Sequence, residues 1–319
     1  MTRTTAQTPC PACGRLEADV VSTRDGKTGE ALLVVACAGC GLGRIDPFPT
    51  PEGLAQWYKT RYRQDYKASV RPKLTHVLRA ARLAQERWAW ASRQPGRGAP
   101  RRTLDVGASG GEFVYLMQTL GADAHGVEPH EGYSTYARSD LGLQVVSGTL
   151  QEHLPTLPPQ SYDLVSMFHV LEHLLDPVQA LRDLAGLLAP GGHLLIEVPD
   201  ASRLSSPNNM FFRAHTLYFT AHALTAVAQA AGLRVVAHNF DAQANLLVLL
   251  QPDAALGQPV WQPDHSLVQG QAQRRWDRYL WSRLGSGYLW RRWLSRRNEK
   301  QTAAQHTHAR DLLNAVYRG

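Results

Sequence analysis

Four cysteines, all that the chain has, stand as Cys10-Pro-Ala-Cys13 and Cys37-Ala-Gly-Cys40, two Cys-x-x-Cys pairs separated by 23 residues. Each pair is a tight knuckle that aims two thiolates at one centre, and four thiolates close a tetrahedral shell. A zinc ribbon with a structural Zn2+ on Cys10, Cys13, Cys37 and Cys40 is the expectation, two disulfides or free thiols the alternative. Gly14 and Gly41 follow each pair, where positive φ would let backbone amides turn toward the sulfurs. A second chemical signal begins at Thr103-Leu-Asp-Val106, a short strand running into Gly107, Gly110 and Gly111. Phe113, Leu116, Met117 and Leu120 then recur at helical spacing, and Ala124-His-Gly-Val127 is a second strand ending at Glu128. Strand, glycine turn, helix, strand and acid place amides at a helix N-terminus, with a carboxylate about twenty residues after the turn. That carboxylate suits the two hydroxyls of a ribose. The glycines are not spaced G-x-G-x-x-G and no lysine follows them, which disfavours a nicotinamide dinucleotide and a P-loop.

Elements that position these residues alternate along the chain. Asp163–Met167 reads as a buried strand, and Asp176 with Pro177 opens a helix lined by Leu181, Leu184 and Leu188. Pro190-Gly-Gly192 should end that helix, and His193–Val198 should be the next strand. Leu224, Val227, Ala228 and Ala231 stripe a helix closed by Gly232, and strands at 233–237 and 245–250 complete the sheet. The fold class expected is α/β, a doubly wound Rossmann-like sheet with an N-terminal zinc ribbon and a C-terminal helical extension. The divisions expected are ribbon 1–58, helical lid or linker 59–102, nucleotide-binding core 103–252 and basic, tryptophan-rich extension 253–319.

The chain of 319 residues carries a net charge of +7, unevenly spread. Residues 59–102 sum to +11, residues 103–269 to −11 and residues 270–300 to +7. Leu74, Val77, Leu78, Ala81, Ala84 and Trp88 share one helical face, with Arg79, Arg82 and Arg87 on the rest, and Pro95–Pro100 as a joint. Five of eight tryptophans lie between 261 and 293, interleaved with arginine. Such helices suit packing on the core, an anionic membrane surface, a lipid-linked glycan, a partner or, less well, nucleic acid. No signal-peptide pattern and no run approaching a membrane span is present, so the expected location is cytoplasmic or peripheral to the inner membrane face.

The motifs resemble class I S-adenosylmethionine-dependent methyltransferases. Leu104-Asp-Val-Gly-Ala-Ser-Gly-Gly-Glu-Phe113 is similar to their first motif and Gly126-Val-Glu-Pro129 to their second. Tyr162-Asp-Leu-Val-Ser-Met-Phe-His-Val-Leu-Glu-His173 with Asp176-Pro177 resembles the fourth-strand motif, and Leu187–His193 the signature before the fifth strand. Ser109 stands at the family's middle glycine, which asks that its φ stay negative. Cys10–Gly14, Cys37–Leu42 and Asp46-Pro-Phe-Pro-Thr-Pro51 resemble the ribbon fused to methyltransferases of sugar, surface-polysaccharide and secondary-metabolite clusters. The likeness runs from residue 10 to about 250.

By that resemblance S-adenosyl-L-methionine is the donor. Asp105, Gly107, Ser109 and Gly111 would position its methionine part and Glu128 its ribose. Thr149 and Leu150 would edge the adenine, and Phe168 would lie near the sulfur. His169, His173 and His215 are the implied base candidates, with hydrogen-bonded loop or packing roles as the plainer alternatives. A Glu172/His173/His169 metal site is similar to one in certain small-molecule O-methyltransferases. C-methylating relatives carry a Glu before the acceptor-site His; here Ala214 precedes His215, which favours O-methylation of a sugar, glycan precursor or other small polar acceptor. Methylation of RNA or protein and a non-catalytic donor-binding adaptor are the rival expectations.

Overall fold

The structure is a computed structural model that describes residues 2–57, 71–94, 98–203, 211–240, 245–257, 259–272 and 288–318. Residues 95–97 of the expected joint, residues 59–70 of the basic run 59–102, and the stretch 273–281 lie outside the described residues. In chain order the strands are β1 Arg3–Thr5, β2 Glu17–Arg24, β3 Ala31–Cys37, β4 Gly43–Ile45, β5 Arg102–Val106, β6 Asp123–Glu128, β7 Gln144–Ser147, β8 Tyr162–Phe168, β9 Leu188–Pro199, β10 Leu217–Tyr218, β11 Leu233–Phe240 and β12 Asn245–Pro252. The helices are α1 Pro51–Trp57, α2 Leu74–Ala91, α3 Glu112–Thr119, α4 Glu131–Ser139, α5 Leu150–His153, α6 Pro177–Leu187, α7 Ala221–Ala230, α8 Ser266–Ala272, α9 Tyr288–Ala304 and α10 Ala309–Arg318. Two sheets form, ordered β1-β2-β3-β4-β10 and β11-β12-β9-β8-β5-β6-β7. The larger is Rossmann-like and mixed: β8, β5, β6 and β7 run parallel, whereas β11 and β12 are antiparallel.

The chain divides into two compact units of interleaved segments. One comprises Ala68–Phe168, Gly186–Leu195 and Gly287–Gly319. Its central parallel strands β5 and β8 are buried, and Leu104, Leu164, Val165 and Met167 are sealed there. α3 buries Phe113, Leu116 and Met117, but Leu120 is exposed because the helix stops one residue before it. α2 buries Val77, Leu78, Ala81 and Ala84, the stripe expected for it, while Trp88 is half-buried. α10 packs on α2 and α3: Leu312 and Leu313 are sealed, the Tyr115 hydroxyl donates to Asn314 Oδ1 (2.9 Å), and Gln85 Nε2 donates to the Val316 carbonyl (2.7 Å). One element departs from expectation. Pro190-Gly-Gly192 does not cap a helix: α6 ends at Leu187 and the segment lies inside β9. A Cβ on Gly192 would sit 2.7 Å from the Tyr162 carbonyl, so glycine here lets β9 pass close to a neighbouring backbone.

The other unit comprises Met1–Lys67, His169–Ala185 and Ile196–Ser286. Its five-stranded sheet is the ribbon, and β10, from far along the chain, pairs antiparallel with β4 as the sheet's last strand. Val34, Ala36 and Ile45 pack there with Phe211, Tyr218 and Leu267 of α8, so the ribbon core is completed by residues from far along the chain. Asp176 caps α6 as expected, accepting the Gln179 amide at 2.8 Å.

Candidate active site

At the carboxyl ends of the four adjacent parallel strands the structure gathers Asp105, Gly107, Ser109, Glu128, Thr149, Leu150 and Phe168, the place where open α/β sheets bind ligands. The turn after β5 folds down on β6: the Gly107 and Ala108 amides donate to the Val127 carbonyl (2.8 and 3.0 Å). Glu128 is buried, and its carboxylate accepts the Ser109 amide at 2.8 Å and the His130 amide at 2.7 Å. Ser109 therefore does not keep a negative φ. It sits at φ 50°, the left-handed region, because its amide is drawn onto Glu128. Gly111 has φ 85°, a left-handed conformation that favours glycine, and a Cβ there would press on the Leu143 side chain.

Asp105 accepts the Ser166 hydroxyl at 2.6 Å; burial pushes its carboxyl up to about 6, against that bond and the charge of Arg87. Phe168 meets Phe113 edge-on (5.0 Å) and carries the Arg87 guanidinium 4.1 Å over its ring. Arg87, expected among the charges that decorate a helix, stands over the Phe168 ring instead. Thr149 caps α5 with Glu152 in a reciprocal capping box and Leu150 is buried, so the adenine edge expected there rests on a fixed backbone corner. A buried acid with unused lone pairs, a glycine-rich turn and a guanidinium beside an aromatic ring fit the ribose, methionine part and carboxylate of S-adenosylmethionine.

In the other unit the four cysteines converge. Cys10 and Cys40 sulfurs are 3.6 Å apart, those of Cys13 and Cys37 3.4 Å, and all four lie within 4.8 Å of one another. Tetrahedral zinc with bonds of ~2.3 Å spaces sulfurs about 3.8 Å apart, so the set fits one structural ion, and the cysteines are free thiols rather than disulfides. The knuckle glycines work differently from expectation. Gly14 (φ 76°) and Gly41 (φ 72°) donate to the Cys10 and Cys37 carbonyls, while the amides of Arg15 and Gly39 reach the sulfurs of Cys13 and Cys37, the latter at 3.4 Å.

The same unit brings His169, His173 and His215 around Glu172. A 3-10 turn at Leu171–His173 is clamped by Thr216, whose amide and hydroxyl both donate to the Glu172 carbonyl (3.0 and 3.1 Å). Glu172 is buried, and neither carboxylate oxygen has a hydrogen bond among the described residues beyond the ion-pair approach of His169 Nδ1 at 3.4 Å. Burial would raise its carboxyl, but His169, His173 and His215 hold it below the usual carboxylate range. His169 has φ 56° and lies between two acids, with Nε2 3.0 Å from Glu197. Burial opposes its charge, yet Glu172 and Glu197 outweigh that and push it up to about 9. Glu197, which also accepts from Asn245 Nδ2 (2.8 Å), was not singled out by the sequence.

His173 must carry its proton on Nδ1, which donates to the Ala214 carbonyl at 2.7 Å, leaving Nε2 as the acceptor in the neutral ring. Its ring lies 4.9 Å from that of His215, and His215 lies 4.1 Å from the Phe212 ring. Burial, helped by the His173, His169 and Lys27 charges, pushes His215 down to about 3 despite Glu172. Lys27, from the ribbon's β2–β3 hairpin, sits 3.6 Å over Phe212, and Asp25 of that hairpin accepts the Arg213 amide at 2.9 Å. Glu172, His173 and His215 offer one donor atom each within 4.8 Å, close enough to share a cation; His169, expected in that set, is engaged by Glu197 instead.

A family model described as a methyltransferase domain matches residues 74–238. Curated relatives include ubiquinone biosynthesis O-methyltransferases of Aliivibrio fischeri, 33% identical over 30% of this chain and 42% of theirs, and of Bordetella bronchiseptica, 34% identical over 38% and 49%. The chain thus spans less than half the length of the curated relatives it matches. Among solved structures, an S-adenosylmethionine-dependent methyltransferase of Leishmania major is 20% identical, covering 63% of this chain and 85% of that one with a TM-score of 0.49. One from Archaeoglobus fulgidus is 18% identical, covering 60% and 99%, with a TM-score of 0.44.

Proposed function

Given that this chain belongs to the methyltransferase-domain family and is an S-adenosylmethionine-dependent methyltransferase, we propose that it methylates a hydroxyl oxygen of a small polar acceptor, a sugar or glycan precursor first among them. The observation that carries the reading is a neutral imidazole, His215, held beside a buried carboxylate, Glu172. S-adenosylmethionine supplies a methyl group on a sulfonium, whose departure leaves a neutral thioether. Glu128 would accept from the ribose hydroxyls, Arg87 would pair with the methionine carboxylate, and Gly107, Ser109 and Gly111 would give the backbone room to approach it. His215 would take the proton that the acceptor hydroxyl loses. Glu172 would stabilise the imidazolium that forms, and His173, fixed by the Ala214 carbonyl, packs edge-on against the His215 ring. His169, already a cation at neutral pH, has no lone pair to act as base and holds Glu172 and Glu197 in place. Oxygen rather than carbon is supported by Ala214, which supplies no second acid, and by relatives named O-methyltransferases. Sugar-type acceptors rest on the ribbon and motif likeness.

His215→Ala should lower kcat by about 10²–10⁴-fold with donor affinity intact by calorimetry. An unchanged kcat removes His215 from the chemistry. A second reading, favoured by the close donor set of Glu172, His173 and His215, makes them a divalent-cation site for the acceptor's oxygens. Turnover that rises on adding Mg2+ or Mn2+ to chelated enzyme would favour it.

A further inference from the structure

We propose that α9 is a docking surface for an anionic phospholipid membrane, reached through Trp290, Trp293 and Leu294. Every residue from 290 to 298 is exposed, and the two indoles keep 63% and 49% of their surface in water. Trp290, Trp293, Leu294 and Arg297 recur at i, i+3, i+4 and i+7, so they share one face. The opposite face holds the helix to its own unit: Glu299 is buried and paired with Arg79 on α2 at 2.7 Å. Leaving two stacked indoles and a leucine outward forfeits hydrophobic stabilisation unless something covers them.

Chemistry selects the occupant. Arg291, Arg292, Arg296, Arg297 and Lys300 surround the apolar face, while the helix's single acid, Glu299, is already neutralised by Arg79. Two copies meeting through this face would set arginine against arginine, which disfavours self-association. Nucleic acid would want separate aromatic faces for its bases. Here the indoles cover each other, centroids 5.0 Å apart and nearly parallel at 22°, and Arg297 approaches the Trp293 ring at 5.5 Å. Tryptophan at headgroup depth, leucine below it and arginine to phosphate is the composition of a helix lying in a membrane interface. No helix among the described residues is long and apolar enough to cross a membrane, so the contact is peripheral.

The test uses the full-length protein and sedimentation with vesicles of phosphatidylcholine alone or mixed with phosphatidylglycerol. Retention is expected only on the mixed vesicles. It should weaken at least about tenfold in the Trp290→Ala/Trp293→Ala variant and with added salt. Donor binding by the variant, read by calorimetry, confirms that it is folded. Absence of retention on mixed vesicles overturns the proposal, as does retention that the tryptophan variant leaves unchanged. Single-stranded RNA binding or dimerisation that the variant abolishes, without vesicle binding, assigns the face to those occupants and overturns it as well.

Discussion

Replacing Glu128 tests the donor site most sharply. Its two carboxylate oxygens have roughly four lone-pair positions, and the Ser109 and His130 amides occupy two of them. The remaining two face the donor's ribose in the assignment made above. A hydrogen bond to a charged acceptor contributes about 1.5–3 kcal/mol, so losing both costs ~3 kcal/mol at the least, or ~100-fold in affinity. Glu128→Ala should weaken S-adenosylmethionine and S-adenosylhomocysteine binding by about that factor in calorimetry. Glu128→Gln keeps the shape but turns an amide toward the Ser109 or the His130 N–H, so it should lose affinity too. Orphaning one buried amide costs ~1–3 kcal/mol of stability, so thermal melts must show that both variants are folded at the assay temperature. Folded Glu128→Ala that binds donor within about twofold of the wild type would refute the reasoning, because no other group at the end of β6 offers the hydroxyls a carboxylate.

Arg87→Ala should raise the donor Kd by about tenfold or more, and Arg87→Lys should rescue it only in part, since a point charge cannot replace a planar fork over Phe168; full rescue by lysine would show that charge alone matters. His169 predicts a pH effect on stability. Its folded value, about 9, exceeds the ordinary one, so its contribution is complete below about pH 6.5 and is lost as pH rises through 9. With 39% of the side chain accessible, the loss is discounted to about 1–2 kcal/mol, and the melting temperature of His169→Gln should depend less on pH between 7 and 10 than that of the wild type. Equal slopes would contradict the ion pairs. Metal analysis should find one zinc per chain, absent from Cys37→Ser/Cys40→Ser. Zinc removal should cut kcat more than it weakens donor binding; the reverse order would detach the ribbon from the acceptor side.

Local patterns were legible where backbone and side-chain requirements coincide. The turn at 107–111 was readable because positive φ at Gly107 and Gly111 favours glycine, and the central strands because burial makes them apolar. The cysteine cluster was readable because ligand spacing is nearly a geometric statement. Long-range placements were not. Nothing around Leu217-Tyr218 says that this pair closes the ribbon sheet against β4, since a two-residue strand has no period to detect. Arg87 looked like any helix-surface arginine, and only the approach of Phe168, 81 positions later, distinguishes it. Ser109 misled because propensity disfavours a left-handed serine, whereas a buried carboxylate accepting its amide outweighs that cost.

The ribbon and the proposed base share one sheet, and that constrains what the zinc module is for. Cys37 ends β3 and Cys40 lies in the turn before β4; β4 carries β10, and His215 stands two residues before β10. The Tyr218 hydroxyl, on β10, donates to the Phe212 carbonyl and accepts the Phe212 amide, fixing the ring that packs on His215. From the hairpin side Asp25 accepts the Arg213 amide and Lys27 covers Phe212. The segment bearing His215 is therefore held from both ends of the ribbon. A single ion ordering the four thiolates would order β3 and β4, and through β10 the segment that carries the proposed base.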